Sequence, residues 1–177
     1  MSYIPCIVTI GNFICGLLAI YSLLFLDIYS AVIFIFTGLI LDIFDGMIAR
    51  KLDAVSDIGR ELDSFADLVT FGIAPSMLAY SMTLSTLPFI GMLCALAYGV
   101  CGMIRLSKFN IEQSNLPTFI GMPIPFAATC LIILSFVNSP ILLVLGTSGL
   151  SYLMISKIKF PHFKKHSIEK LETRRWN

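Results

Sequence analysis

The sequence predicts an all-α membrane protein with six transmembrane helices, and three observations carry that expectation. Hydrophobic residues make up 57% of the 177-residue chain and charged residues only 13%, with a mean hydropathy of +0.89. A soluble domain of this size needs far more polar surface. The apolar residues fall into six runs, each near the roughly 20 residues a spanning helix requires. All twelve lysines and arginines gather in three places.

The six runs cover roughly 5–26, 29–50, 62–82, 86–106, 118–137 and 139–156. Short breaks separate them at Asp27, at Ser85, along the polar stretch Asn110–Asn115 and at Asn138–Pro140. No soluble domain fits between the runs and no internal repeat is evident. The chain therefore divides into a six-helix membrane domain, 1–156, and a basic tail, 157–177. The N-terminus has no basic segment followed by a small-residue cleavage site, so the first run is expected to persist as a helix. Cys6, Cys15, Cys94, Cys101 and Cys130 lie singly inside apolar runs, without metal-ligand spacing or a disulfide framework, and read as small buried hydrophobes.

Orientation follows from the positive charges. Arg50, Lys51 and Arg60 flank the connection between the second and third spans, and Arg105 and Lys108 follow the fourth. Lys157, Lys159, Lys164, Lys165, Lys170, Arg174 and Arg175 lie in the tail, whereas the connections near 27, 84 and 138 hold none. Six spans with both termini in the cytoplasm account for this partition. In the tail the cations alternate with Phe160, Phe163 and Trp176. That is the pattern of an inside flank, and also of a patch able to hold anionic membrane lipid.

Four aspartates stand where a membrane helix should have none. Asp42 and Asp45 are three apart near the end of the second span, and Asp63 and Asp67 are four apart at the start of the third. Each pair shares one helix face. A connection of about ten residues makes the two helices antiparallel neighbours with the pairs facing one another. One aspartate at the bilayer centre costs about 2.5–3.5 kcal/mol, so four unpaired would cost on the order of 10 kcal/mol. Only Arg50, Lys51 and Arg60 are near enough in sequence to offset that. Divalent cations fit better, because carboxylates are hard oxygen ligands suited to Mg²⁺ or Mn²⁺ and two such ions balance four negative charges. Two ions a few ångströms apart suit phosphoryl-type displacement.

The neighbouring residues agree. Gly46 clears the acidic face for a substrate, and Ala49, four residues after Asp45, keeps that face open. Arg50 offers forked donors for a phosphate, and Ser56 in the connection offers a hydroxyl. Each also has a plain structural reading, since small residues are common at helix contacts in membranes and Arg50 is a natural inside flank. Asp45 lies about 8 Å from Arg50 along the helix axis, so the site is shallow, open to cytosolic solutes and within reach of lipid headgroups.

These residues match the signature D-x2-D-G-x2-A-R-x8-G-x3-D-x3-D of the CDP-alcohol phosphatidyltransferase family, which the chain resembles over nearly its whole length. Asp42, Asp45, Gly46, Ala49, Arg50, Gly59, Asp63 and Asp67 fill all eight positions. The resemblance implies a six-span fold and a homodimer. It also implies two divalent cations, Mn²⁺ or Mg²⁺, held by Asp42, Asp45, Asp63 and Asp67. Asp67 would be the general base, and Gly46, Ala49, Arg50 and Ser56 would lie at the CDP-lipid.

A second set of segments is similar to the serine-specific branch of that family. Thr9 to Gly16 resembles T-x2-N-x3-G, which puts Thr9 and Asn12 at the CDP-lipid. Arg105-Leu106-Ser107-Lys108-Phe109-Asn110 resembles R-L-x-(R/K)-F-N, and Phe119 to Pro125 resembles F-x-G-(L/M)-P-x-P. Ser151–Ser156 and Phe160-Pro161 also match. Many relatives carry Pro-Asn near the start, whereas here Pro5 precedes Cys6. The implied reaction transfers the phosphatidyl group of CDP-diacylglycerol to L-serine by direct displacement, with Arg105 and Asn110 as expected serine contacts.

The plain readings are that Arg105 and Lys108 anchor an inside flank and that Pro123 and Pro125 shape a helix entrance. Glycerol-3-phosphate, inositol or inositol phosphate would call for more basic residues than Arg105 and Lys108. A carboxylate-based cation or proton transporter would place its acids nearer the midplane, and Arg50 would repel its cargo. No nucleic-acid partner is expected.

Overall fold

The structure, a computed structural model, describes residues 4–51, 57–113, 121–137 and 139–156. The tail and Ser56 lie outside the described residues. The described chain is helical, without strands. α1 is Ile4–Leu24 and α2 is Ile28–Lys51. α3 spans 57–82 in three segments: an α-helix Asp57–Asp67, a π-helix Leu68–Ile73 and an α-helix Ala74–Met82. After a 3₁₀ turn at Leu84–Thr86, α4 runs from Pro88 to Lys108 and continues as a π segment Phe109–Gln113. α5 is Ile124–Ser135 and α6 is Pro140–Ile155.

All six predicted runs are thus helical, with corrections at their ends. α3 begins at Asp57 rather than near 62, which shortens the second connection to residues 52–56 and brings its acidic face close to α2. α4 extends past 106 because Phe109–Gln113 stay helical in a wider register. Among the described residues four helices are long and apolar enough to cross a membrane, whereas Ile124–Ser135 and Pro140–Ile155 are shorter apolar helices. The fifth helix starts six residues later than expected. Gly121 has φ of 86°, a conformation open to glycine, and a Cβ there would lie 2.9 Å from the Met154 carbonyl oxygen. Pro123 is extended and caps α5, and Pro125 falls in its first turn. The Gly-x-Pro-x-Pro run therefore turns the chain against the end of α6 and then launches a helix.

Sidedness within the helices is that of a membrane protein. On α1, Thr9, Asn12, Gly16, Ala19 and Leu23 are buried, while Ile7, Ile14, Leu17, Tyr21 and Leu24 are exposed. Polar and small residues line the interior, and large apolar ones face outward where lipid is the solvent. Asp27 ends the first turn by accepting the Ser30 backbone N–H at 3.1 Å, capping α2. α1 packs most extensively on α2 and also on the first half of α3; α4 packs on α6, and the second half of α3 packs on α5. Phe71, Leu78, Leu84, Tyr98, Ile124, Leu131 and Leu143 fill the centre between α3, α4, α5 and α6. The acidic face sits outside that apolar centre, at one end of the α1–α2–α3 group.

Candidate active site

α2 and the first segment of α3 each carry an aspartate pair on one face, and α1 lies against both. Carboxylate oxygens of Asp42, Asp63 and Asp67 all lie within 4.8 Å of one another. Asp67 is 8% exposed, and Asp42 and Asp63 are half-buried. Two carboxylates 4.8 Å apart repel by about 3.5 kcal/mol at an effective dielectric of 20. Three together need countercharge, which a divalent cation supplies most directly. The donor set is all oxygen, which suits Mg²⁺ or Mn²⁺.

Asp45 stands outside this triad. It is buried, and the Thr9 hydroxyl donates to its Oδ2. Asp45 stays close enough for its charge to act on Asp42 and Asp63. Asn12 does for Asp67 what Thr9 does for Asp45: its Nδ2 donates to Asp67 Oδ1 at 3.4 Å. Thr9 and Asn12, expected at the CDP-lipid, are 4% and 1% exposed and meet the aspartates in this structure. Their three-residue spacing on α1 places them on one face.

Arg105, on α4, interacts electrostatically with Asp67 and Asp42. Its guanidinium lies 5.4 Å from the Phe109 ring centroid, a cation–π arrangement that fixes the side chain. One guanidinium leaves the triad net negative. Asn110 does not join it. Asn110 Nδ2 donates to Ser64 Oγ at 3.0 Å and to Glu61 Oε1 at 3.3 Å. Glu61, two residues before Asp63, lies on the face of α3 away from it, and Ser64 lies between that face and Asp67. Asn110 therefore ties α3 to α4 beside a cavity of about 240 Å³ that Phe65, Leu68 and Met103 also line. Arg105 and Asn110 are thus described with different partners, Asp42 and Asp67 for the one and Glu61 and Ser64 for the other.

Gly46 follows Asp45 in α2 and is exposed. Ala49 and Arg50 continue α2, with side chains outside the described residues, as is Ser56. Two buried polar residues near the site escaped the motif reading. Thr70, fully buried, donates from Oγ1 to the Asn12 carbonyl at 3.0 Å. Tyr98, fully buried on α4, donates to the Phe71 carbonyl at 3.4 Å. Both grip the π segment that follows Asp67. The available signal was a polar side chain in the middle of an apolar span, which in a membrane helix faces the protein interior.

The CDP-alcohol phosphatidyltransferase family model matches residues 2–157. A CDP-diacylglycerol–serine O-phosphatidyltransferase of Bacillus subtilis is 77% identical over 177 residues, all of both chains. An enzyme of the same name from Methanocaldococcus jannaschii is 42% identical over 161 residues, covering 88% of this chain and 72% of the relative. One from Helicobacter pylori is 33% identical over 172 residues, covering 91% and 73%.

Proposed function

Because the chain belongs to the CDP-alcohol phosphatidyltransferase family, we infer that it makes phosphatidylserine, and that the cluster on α2 and α3 is where it does so. It is a membrane enzyme that transfers the phosphatidyl group of CDP-diacylglycerol to serine and releases CMP. The observation that carries the site assignment is the convergence of Asp42, Asp63 and Asp67 from two apolar helices, a burial that bound divalent cations would offset beyond what Arg105 supplies.

The proposed mechanism is direct displacement. Divalent cations, two of them and Mn²⁺ or Mg²⁺, would be held by the aspartates and would neutralise charge on the donor's diphosphate and on departing CMP. Asp67 accepts the serine hydroxyl proton. The serine oxygen forms its bond to the phosphatidyl phosphorus as the bond from that phosphorus to the bridging diphosphate oxygen breaks, and CMP carries that oxygen away. Asp67, with a cation bound, would be a poor nucleophile, which favours direct attack over a covalent intermediate. Arg105 pairs with the serine carboxylate, so that base and acceptor anchor on neighbouring helices. Gly46, Ala49, Arg50 and Ser56 take the CDP moiety, and the acyl chains lie between helices. Both termini and the active site face the cytoplasm, where serine is supplied. Assembly as a homodimer belongs to this reading and rests on the family resemblance alone.

The test is CMP release by the purified protein in detergent with CDP-diacylglycerol, Mn²⁺ and a single acceptor at a time. Serine supports release. Release with glycerol-3-phosphate or inositol but not with serine would reassign the acceptor, and no release with any of them would overturn the activity.

A further inference from the structure

Three threonines of this protein bond back into their own helix. Thr37, Thr129 and Thr147 each donate to the carbonyl four residues earlier, on Ile33, Pro125 and Leu143. Thr70 instead reaches across to α1 and donates to the Asn12 carbonyl at 3.0 Å. It does so from the π segment that begins right after Asp67, where the wider turn redirects side chains. Asn12 in turn donates to Asp67 Oδ1 at 3.4 Å. The result is a closed circuit: Asp67 to the Asn12 amide, the Asn12 carbonyl to Thr70, and Thr70 back through three residues of α3 to Asp67.

Two glycines make the circuit possible. A Cβ on Gly16 would lie 2.5 Å from Thr70 Oγ1 and 3.1 Å from the Thr70 backbone, and one on Gly38 would lie 2.6 Å from Thr70 Cγ2 and 2.8 Å from Asn12 Oδ1. α1, α2 and α3 thus cross at Thr70 with no room to slide. Asn12 is 1% exposed, and its Oδ1 has no hydrogen-bond partner. A buried amide oxygen without a donor destabilises the fold. Stability alone would favour an apolar residue there, whereas the Nδ2 of the same amide is bonded to Asp67.

We propose that Asn12 and Thr70 are positioning residues that hold the Asp67 carboxylate in the geometry needed to bind a divalent cation, rather than contacts to the nucleotide. This rests on the reading of Asp42, Asp63 and Asp67 as a cation site. Thr70 acts only through Asn12 and touches no substrate.

The experiment measures Mn²⁺ affinity of the purified full-length protein in detergent without substrates, by titration against the free-Mn²⁺ paramagnetic signal. kcat, serine KM and the thermal midpoint are measured on the same samples. Thr70→Val keeps the shape and removes the hydroxyl. Removing a group that orients a metal ligand weakens binding on the order of ten- to a hundredfold, and that loss is expected with a matching fall in kcat and an unchanged serine KM. Thr70→Ser restores the hydroxyl and recovers most of the affinity. Should Thr70→Val not fold, Asn12→Ala carries the same expectation, because it removes the partnerless oxygen together with the donor. Wild-type Mn²⁺ affinity in the folded variants overturns the proposal, whatever happens to turnover, as does a parent protein that binds no Mn²⁺. A parent that binds Mn²⁺ yet releases no CMP with serine would overturn the proposed reaction, while the affinities would still decide this inference.

Discussion

Gly16→Ala probes the site from a full helical turn beyond Asn12. The added methyl would stand 2.5 Å from Thr70 Oγ1, and ordinary contact begins at 3.4 Å. The difference, 0.9 Å, must come from α1 or α3, since the Thr70 backbone itself lies at 3.1 Å and a rotamer change alone cannot clear the space. Overpacking of this kind costs about 1–3 kcal/mol, and replacing a helical glycine by alanine recovers about 0.5–1 kcal/mol. Net destabilisation is then about 0–2.5 kcal/mol, small enough for a folded protein. Catalysis is less forgiving, because a misplacement of about 1 Å can cost on the order of a hundredfold in rate. Gly16→Ala is therefore expected to fold with a modestly lower thermal midpoint and to release CMP about a hundredfold more slowly. Gly149→Ala is the control: nothing lies within 4 Å of its Cβ position, so activity is unchanged. The assay is initial CMP release in detergent at saturating serine, alongside thermal unfolding. A Gly16→Ala protein that turns over as fast as its parent would refute the claim that this crossing sets the position of Asp67.

Further outcomes are expected at other positions. Asp42→Asn, Asp45→Asn, Asp63→Asn and Asp67→Asn each abolish CMP release, and EDTA does the same until Mn²⁺ is restored; undiminished activity in excess EDTA would sink the cation reading. Arg105→Lys loses the planar fork that grips a carboxylate. A charge-assisted hydrogen bond is worth about 1.5–3 kcal/mol, so serine efficiency falls on the order of ten- to a hundredfold through KM, with the CDP-diacylglycerol KM nearly unchanged. If only the lipid KM moves, Arg105 belongs to the donor site. In a cysteine-free background, a cysteine at position 54 stays hidden from an impermeant reagent in intact cells, while cysteines at 27 and 85 react; external labelling at 54 would reverse the orientation.

The helices were largely legible because their cause is one-dimensional. A run of about 20 apolar residues must close its backbone hydrogen bonds internally in lipid, whatever its neighbours do. The places where that reading slipped are those where neighbours matter. α5 starts late because Gly121 and Pro123 pack the chain against the end of α6, and α3 starts early because Asp57–Leu62 continue a helix whose polar face the apolar criterion does not count.

The chemistry divides in the same way. Asp42, Asp45, Asp63 and Asp67 announce themselves in sequence, since a carboxylate in an apolar span demands a partner, and spacings of three and four put each pair on one face. How closely they approach depends on packing: Asp42, Asp63 and Asp67 meet within 4.8 Å, while Asp45 also takes a hydrogen bond from Thr9. The same holds for Arg105 and Asn110, close in sequence but with different partners, and for Thr70, unremarkable in sequence and central in space. Periodicity assigns a residue to a face of its own helix. Whether two faces meet depends on how closely the helices cross, and here Gly16 and Gly38 set that distance from positions that carry no chemistry of their own.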